Sequence, residues 1–234
     1  MKRTGTIWRK RWAVRDQIVE GVCQTLHQVY GAPRLGNPKD SLDDLVYIVV
    51  SNKTSPGMAR LTYRRFKERF ASWERVVTSG GNALRSILRP AGLSSVKSRQ
   101  LKAALHQIRR DFGTCDLRGL KRKTEPEIRE YLTSLPGVSD KVARCVMMYT
   151  MGARVLPVDA HVHRVAVRLG WTARKRADQC HEELESLVPP TWRYIFHVGC
   201  VLHGREICRP NRPLCESCCL NRYCEYFKKS RKLA

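Results

Sequence analysis

Leu135-Pro-Gly-Val-Ser-Asp-Lys141, then an apolar run of helix length, then Val158-Asp-Ala-His-Val-His-Arg164 form the stretch on which the reading of this chain turns. Upstream of it, Thr124 with Glu127 three residues on makes a capping box, and Ile128, Leu132 and Leu135 recur at helical spacing. Residues 124–134 therefore read as a helix, which Pro136 and Gly137 end. Ser139 is placed to cap a second helix carrying Val142, Cys145, Val146 and Tyr149, whose first-turn N–H groups suit a phosphate oxygen. Two helices joined by so short a turn make a helix-hairpin-helix. Lys141 falls in the first turn of its second helix, and Asp159 stands at the start of the next one. Each has an ordinary reading alone: a first-turn lysine as a solvated charge, an aspartate before an apolar-periodic helix as an N-cap worth about 0.5–2 kcal/mol. The hairpin, the Lys-to-Asp separation and a cysteine cluster downstream agree in pointing to chemistry instead.

Composition narrows the partner. The 234 residues hold 44 Lys and Arg against 21 Asp and Glu, a formal charge of +23. An excess of that size implies a polyanion, with nucleic acid first. No apolar run approaches the ~18 residues of a membrane span, and the N-terminus lacks the apolar core of a signal peptide. The lack of any acid before Asp16 leaves a short transit peptide as the alternative. The ten cysteines accordingly read as cytosolic thiols and metal ligands, with a cytoplasmic location expected (nucleoid-associated in a prokaryote), and not as a disulfide framework.

In order, residues 1–12 read as a basic tail with Trp8 and Trp12, poorly ordered without a partner. Ile18, Val22, Leu26 and Val29 mark an amphipathic helix up to Tyr30, stopped by Gly31 and Pro33. Ser41 with Asp44 suggests a second capping box ahead of Leu45, Ile48 and Val49, and Ser55-Pro56 opens a helix to Phe70. Gly80-Gly81 and Pro90 punctuate two shorter helices expected around 73–77 and 84–88. Lys97 begins another, with Leu101, Leu105 and Ile108. Beyond Leu156 three more are expected, over 159–169, 177–187 and 192–202. Residues 228–234 read as a second basic tail. No segment alternates as a strand, so the fold class is all-α with roughly ten helices.

Cys208, Cys215, Cys218 and Cys224 have the spacing Cys-x6-Cys-x2-Cys-x5-Cys, broken by Pro210 and Pro213. Thiols so crowded in a segment that cannot form a core helix need a metal to gather them; spacing alone permits tetrahedral zinc or an iron–sulfur cluster. Cys219, beside Cys218, is a competing ligand or an ordinary thiol. Cys145 and Cys200 read as core. His161 and His163, two apart on a helix, do not share a face and are not a metal pair.

The hairpin with its lysine, followed by Val-Asp-Ala-His and the four cysteines, resembles the HhH-GPD superfamily of base-excision DNA glycosylases, and within it the endonuclease III branch, over about residues 14–227. The resemblance implies a six-helix barrel over 37–154 carrying the hairpin. It implies a second domain in which the helix of 13–36 packs with 155–227 and its cluster loop, and a catalytic cleft between the two. It implies a [4Fe-4S] cluster on Cys208, Cys215, Cys218 and Cys224. It also implies Lys141 as a nucleophile toward a sugar C1′, with Asp159 taking the proton and stabilising charge. Asn52-Lys53 stand where the branch carries a polar wedge, commonly with a glutamine, and Leu93 resembles a second intercalating position. An ordinary polar loop and a helix staple are the plain alternatives.

Gly137 and Ser139 of the hairpin, with Arg209 and Arg212 of the cluster loop, are the expected phosphate contacts, a solvated basic loop being the alternative for the arginines. The family usually has glycine where Ser139 stands, so a side chain there either hinders close approach or supplies a contact. The expected partner is double-stranded DNA with damaged bases or abasic sites, bound by a monomer, with no membrane. The expected activity is bifunctional: removal of an oxidised pyrimidine and cleavage 3′ to it by β-elimination. Action on a mismatched or methylated base, or a non-catalytic iron–sulfur DNA-binding protein, are the competing readings.

Overall fold

The computed structural model describes the backbone of residues 4–233 and the side chains of residues 16–232. Among the described residues every regular element is helical: α1 Thr4–Tyr30, α2 Ser41–Ser51, α3 Pro56–Arg69, α4 Trp73–Thr78, α5 Gly81–Leu88, α6 Ser94–Phe112, α7 Glu125–Ser134, α8 Asp140–Thr150, α9 Ala160–Leu169, α10 His181–Leu187, α11 Arg193–Glu206 and α12 Glu225–Leu233. No helix among them is long and apolar enough to cross a membrane.

Several local expectations need correction. Helix α1 takes in residues 4–12, read from the sequence as a tail, because no proline or glycine interrupts residues 6–20. Residues 1–3 and the side chains of Trp8 and Trp12 lie outside the described residues. The second expected tail is largely helix α12, whose Lys228 pairs with Glu225 at 2.8 Å and whose Arg231 lies over the Phe227 ring. The cap of α2 is Asp40, not Ser41: its Oδ1 accepts the Leu42 and Asp43 N–H groups, while Asp44 takes the Asn37 amide at 2.6 Å. Helix α6 begins at Ser94, ahead of Lys97, and the 177–187 segment breaks at the buried Cys180, whose N–H bonds back three residues to Ala177.

The chain divides into two compact units, residues 36–153 and residues 1–35 with 154–234. In the first, α2 is apolar nearly all round and buried from Leu42 to Val50 except at Asp43, as a central helix must be. It packs on α3, α6 and α8. Asp43 accepts Trp73 Nε1 at 2.7 Å and Lys67 Nζ at 3.1 Å, tying α2 to α3 and α4, and Thr150 donates to Ser41 at 2.9 Å, tying it to the end of α8.

In the second unit α1 returns to the C-terminal helices. Val19, Val22, Cys23 and Leu26 share one core with Val162, Val165, Ala166, Leu184, Phe196 and Cys200, and Trp171 stacks on Phe196 at 5.1 Å. A β-carbon on Gly199 would stand 2.9 Å from the Leu26 Cβ, so glycine is what lets α1 and α11 approach this closely. Gly21 similarly admits Tyr223 of the cysteine segment against α1. Arg222 adds a 3.3 Å hydrogen bond to Thr25.

Candidate active site and cysteine centre

The hairpin is built as the sequence suggests. Glu127 Oε2 accepts the Thr124 N–H at 2.8 Å to start α7, and the Val138 N–H returns to Leu135 O at 3.1 Å in the turn. Gly137 has φ +82, and a β-carbon there would lie 2.8 Å from Gln100 on α6, so both conformation and space exclude a side chain. Asp140 clasps the hairpin from inside, accepting Arg129 of α7 and, at 2.9 Å, Arg144 of α8. Burial raises its carboxyl, and the two arginine hydrogen bonds outweigh that, holding it below the usual carboxylate range. Ser139 is exposed, and its hydroxyl accepts the Val142 N–H at 3.4 Å. The serine therefore supplies a helix cap. Lys141 follows, partly exposed in the first turn of α8.

In the other unit Asp159 caps α9: its Oδ1 accepts the His161 and Val162 N–H groups, each at 2.8 Å. Its backbone is extended, as a cap residue's is. Behind it, His161 Nδ1 lies 3.1 Å from Arg164 Nη2, and Arg164 donates to Gly204 O and Cys208 O, each at 2.7 Å. A β-carbon on Gly204 would stand 2.7 Å from His161 Nδ1, which makes glycine necessary there. Burial pushes the His161 imidazole down against the pull of Asp159. His163 turns elsewhere, to Arg174 O at 2.8 Å.

Cys208, Cys215, Cys218 and Cys224 line one pocket, partly open to solvent, with Arg168, Leu214, Tyr226 and Phe227 among its other walls; Cys219 does not line it. Among the described residues no three His, Cys, Asp or Glu side chains converge closely enough to hold one ion. Arg168 Nη1 donates to Cys208 Sγ at 3.1 Å, and the same guanidinium fixes Arg209 O and Pro210 O. His203 Nε2 lies 3.4 Å from Cys218 Sγ. Burial pushes the Cys218 thiol up to about 12 and raises those of Cys215 and Cys224. Arg209 and Arg212 are exposed on the segment, Arg212 in a left-handed conformation.

Asn52 and Lys53 are exposed between α2 and α3, and Leu93, 57% exposed, precedes α6; Lys53 and Leu93 both have positive φ, +55 and +51. The residue that sequence reasoning missed is Lys97. It stands one turn before Leu101 on the apolar face of α6, which was the available signal, and it is 5% exposed.

Residues 46–190 match the family model described as HhH-GPD superfamily base excision DNA repair protein. The chain belongs to that superfamily. Among its relatives, endonuclease III of Thermotoga maritima is 26% identical over 200 residues, covering 86% of this chain and 90% of the relative. A solved non-covalent endonuclease III–DNA complex superposes with a TM-score of 0.81 at 23% identity, covering 93% of this chain and 98% of that one. A trapped endonuclease III–DNA covalent intermediate gives 0.79 at 23% identity, covering 92% and 98%. The superfamily fold accounts for the all-helical architecture.

Within this superfamily member the two roles open to Asp159 separate by substitution. Asp159→Ala removes the cap and is expected to lower the free energy of unfolding by about 0.5–2 kcal/mol, whereas Asp159→Asn, an equally good cap, is expected to stay close to wild type. Urea denaturation followed by circular dichroism measures both. Equal loss in the two variants would show that the charge, and not the cap, stabilises α9.

Proposed function

We propose that this chain is a bifunctional DNA glycosylase and abasic-site lyase of base excision repair, acting in the manner of the endonuclease III branch on oxidised pyrimidines in double-stranded DNA. The observation that carries the reading is Lys141, a partly exposed amine in the first turn of the helix that follows a superfamily hairpin. The endonuclease III of the trapped complex forms a covalent intermediate with DNA. A side-chain amine is the group that makes such chemistry available here. The +23 charge supplies affinity for a polyphosphate, with a strong dependence on salt.

The target nucleotide must leave the stack to expose its sugar. Asn52 and Lys53 with Leu93 enter the space it vacates. Lys141 Nζ, once neutral, forms a bond to C1′ as the bond from C1′ to the base breaks, with that electron pair leaving on the base. Asp159 accepts the amine's proton and stabilises the cation-like sugar, charge placed where charge develops. Ring opening leaves an iminium between Nζ and C1′. Loss of a C2′ proton then expels the 3′ phosphate, so one lysine accounts for both base removal and strand cleavage. Gly137 and Ser139 of the hairpin, with Arg209 and Arg212, hold the flanking phosphates.

Four cysteines lining one pocket, at the spacing read from the sequence, suit a [4Fe-4S] cluster held by Cys208, Cys215, Cys218 and Cys224. Bound there, it supplies four metal–thiolate bonds that close the segment bearing Arg209 and Arg212 into a rigid loop. Arg168 and His203 stand as hydrogen-bonding neighbours of Cys208 and Cys218.

Two experiments test these assignments. Lys141→Gln is expected to abolish strand cleavage at an abasic site while keeping binding to abasic-site DNA, since a first-turn surface lysine adds little stability. Asp159→Asn is expected to be folded, DNA-binding and inactive. A fully active Asp159→Asn protein would leave Asp159 as a cap only. For the metal, protein purified without oxygen is expected to contain about four iron and four sulfide per chain, to lose them in Cys218→Ser and to keep them in Cys219→Ser. Stoichiometric zinc without iron would overturn the cluster assignment, and loss in Cys219→Ser alone would move the ligand by one residue.

A further inference from the structure

Lys97 is a buried lysine whose three partners come from the end of α2, the α2–α3 loop and the turn before α6. Its Nζ lies 2.8 Å from Val50 O at the end of α2, 3.0 Å from Thr54 Oγ1 and 2.9 Å from Ala91 O. An ammonium has three N–H donors, and these three acceptors use all of them. Thr54 Oγ1, while accepting from Lys97, stands 2.7 Å from Ala91 O and donates to it. The α2–α3 loop and the turn before α6 are therefore pinned at one interior point. All three acceptors are neutral, so a charge has been taken out of water with no carboxylate among these partners to offset the cost, and burial pushes the ammonium's pKa down. An apolar residue would fill the same space without that cost.

What the arrangement achieves is visible on the surface above it. Lys53 is one residue from the pinned Thr54, and Leu93 is two from the pinned Ala91; each adopts a left-handed backbone that a side chain disfavours, and each is exposed. Such conformations persist where the surroundings over-determine them. The result is one polar and one apolar prong at a fixed separation. A gap left by an extruded nucleotide has the same two needs, an apolar filler between stacked bases and polar contact with the base left unpaired.

We propose that Lys97 is the positioning residue that, with Thr54, locks the Asn52–Lys53 loop and the Leu93 loop into a single two-pronged wedge that opens the duplex. The inference rests on the glycosylase reading above. Lys97 touches neither substrate nor the reacting atoms; it acts through the two loops.

The full-length chain carrying Lys97→Met or Thr54→Val tests it. Amide hydrogen exchange is expected to quicken in both loops together, residues 51–55 and 89–93, and to stay unchanged in the α7–α8 hairpin and in residues 155–224. On a duplex with one oxidised pyrimidine, excision by Lys97→Met is expected to fall at least about tenfold relative to cleavage of a pre-formed abasic site, where opening costs less. Thr54→Val is expected to move both readings in the same direction by a smaller factor. If Lys97→Met does not fold, the near-isosteric Thr54→Val decides. Loosening of only one loop, an unchanged ratio of the two activities, or parallel loss of both activities with thermal stability would each overturn the proposal. A wild-type chain that neither excises the oxidised pyrimidine nor forms a borohydride-trapped adduct would sink the glycosylase reading, and exchange at the two loops would still decide whether Lys97 joins them.

Discussion

The turn at Gly137 is the constraint on which the hairpin depends. Its left-handed backbone and the approach of Gln100 leave no room for a β-carbon, and only that tight reversal brings α8 back beside α7. Asp140, clasped by Arg129 and Arg144, then locks the two helices from within. Lys141 is the next residue. Its place is set by a glycine and an ion-pair network, and its own side chain has one helical position in the first turn of α8.

A similarly locked support holds Asp159 in the other unit. Asp159 Oδ1 satisfies two backbone donors of α9, and His161, Arg164 and Gly204 are packed behind it at contacts that tolerate no added methyl group. From there Arg164 reaches the carbonyl of Cys208, and Arg168, one turn on, reaches its sulfur. One helix thus carries the aspartate at its start and anchors the cysteine segment along its length. The segment in turn is held on α1 by Tyr223 and Arg222. The N-terminal helix and the C-terminal cysteines stabilise each other across the whole length of the chain.

Sequence legibility followed the range of the interactions. The Thr124–Glu127 box, the Ser139 and Asp159 caps and the all-helical pattern are local, so three- and four-residue spacings carry them. The cap of α2 was misjudged by one residue because Asp40 and Ser41 are both good cap types, and what separates them, Asp44 turning to Asn37, is tertiary. Charge marks the basic ends as tails, whereas residues 4–12 and 228–233 are helical, the latter with an i, i+3 Glu225–Lys228 pair. The cysteine spacing suggests a metal site, whereas the shared pocket and its other walls, Arg168 and Tyr226 among them, are not in that spacing. Lys97 was the least legible residue, since charge argues for the surface and its acceptors Val50 and Thr54 lie over forty residues away. Only its place on the apolar face of α6 hinted at burial.

The central claim is that one lysine carries the covalent chemistry. Reduction with borohydride during reaction with an abasic-site duplex, followed by nuclease and protease digestion and mass spectrometry, locates the attached sugar on the chain. A single modified peptide is expected, with the added mass on Lys141. An adduct on Lys53 or on the N-terminal amine, or strand cleavage with no adduct at all, would contradict it.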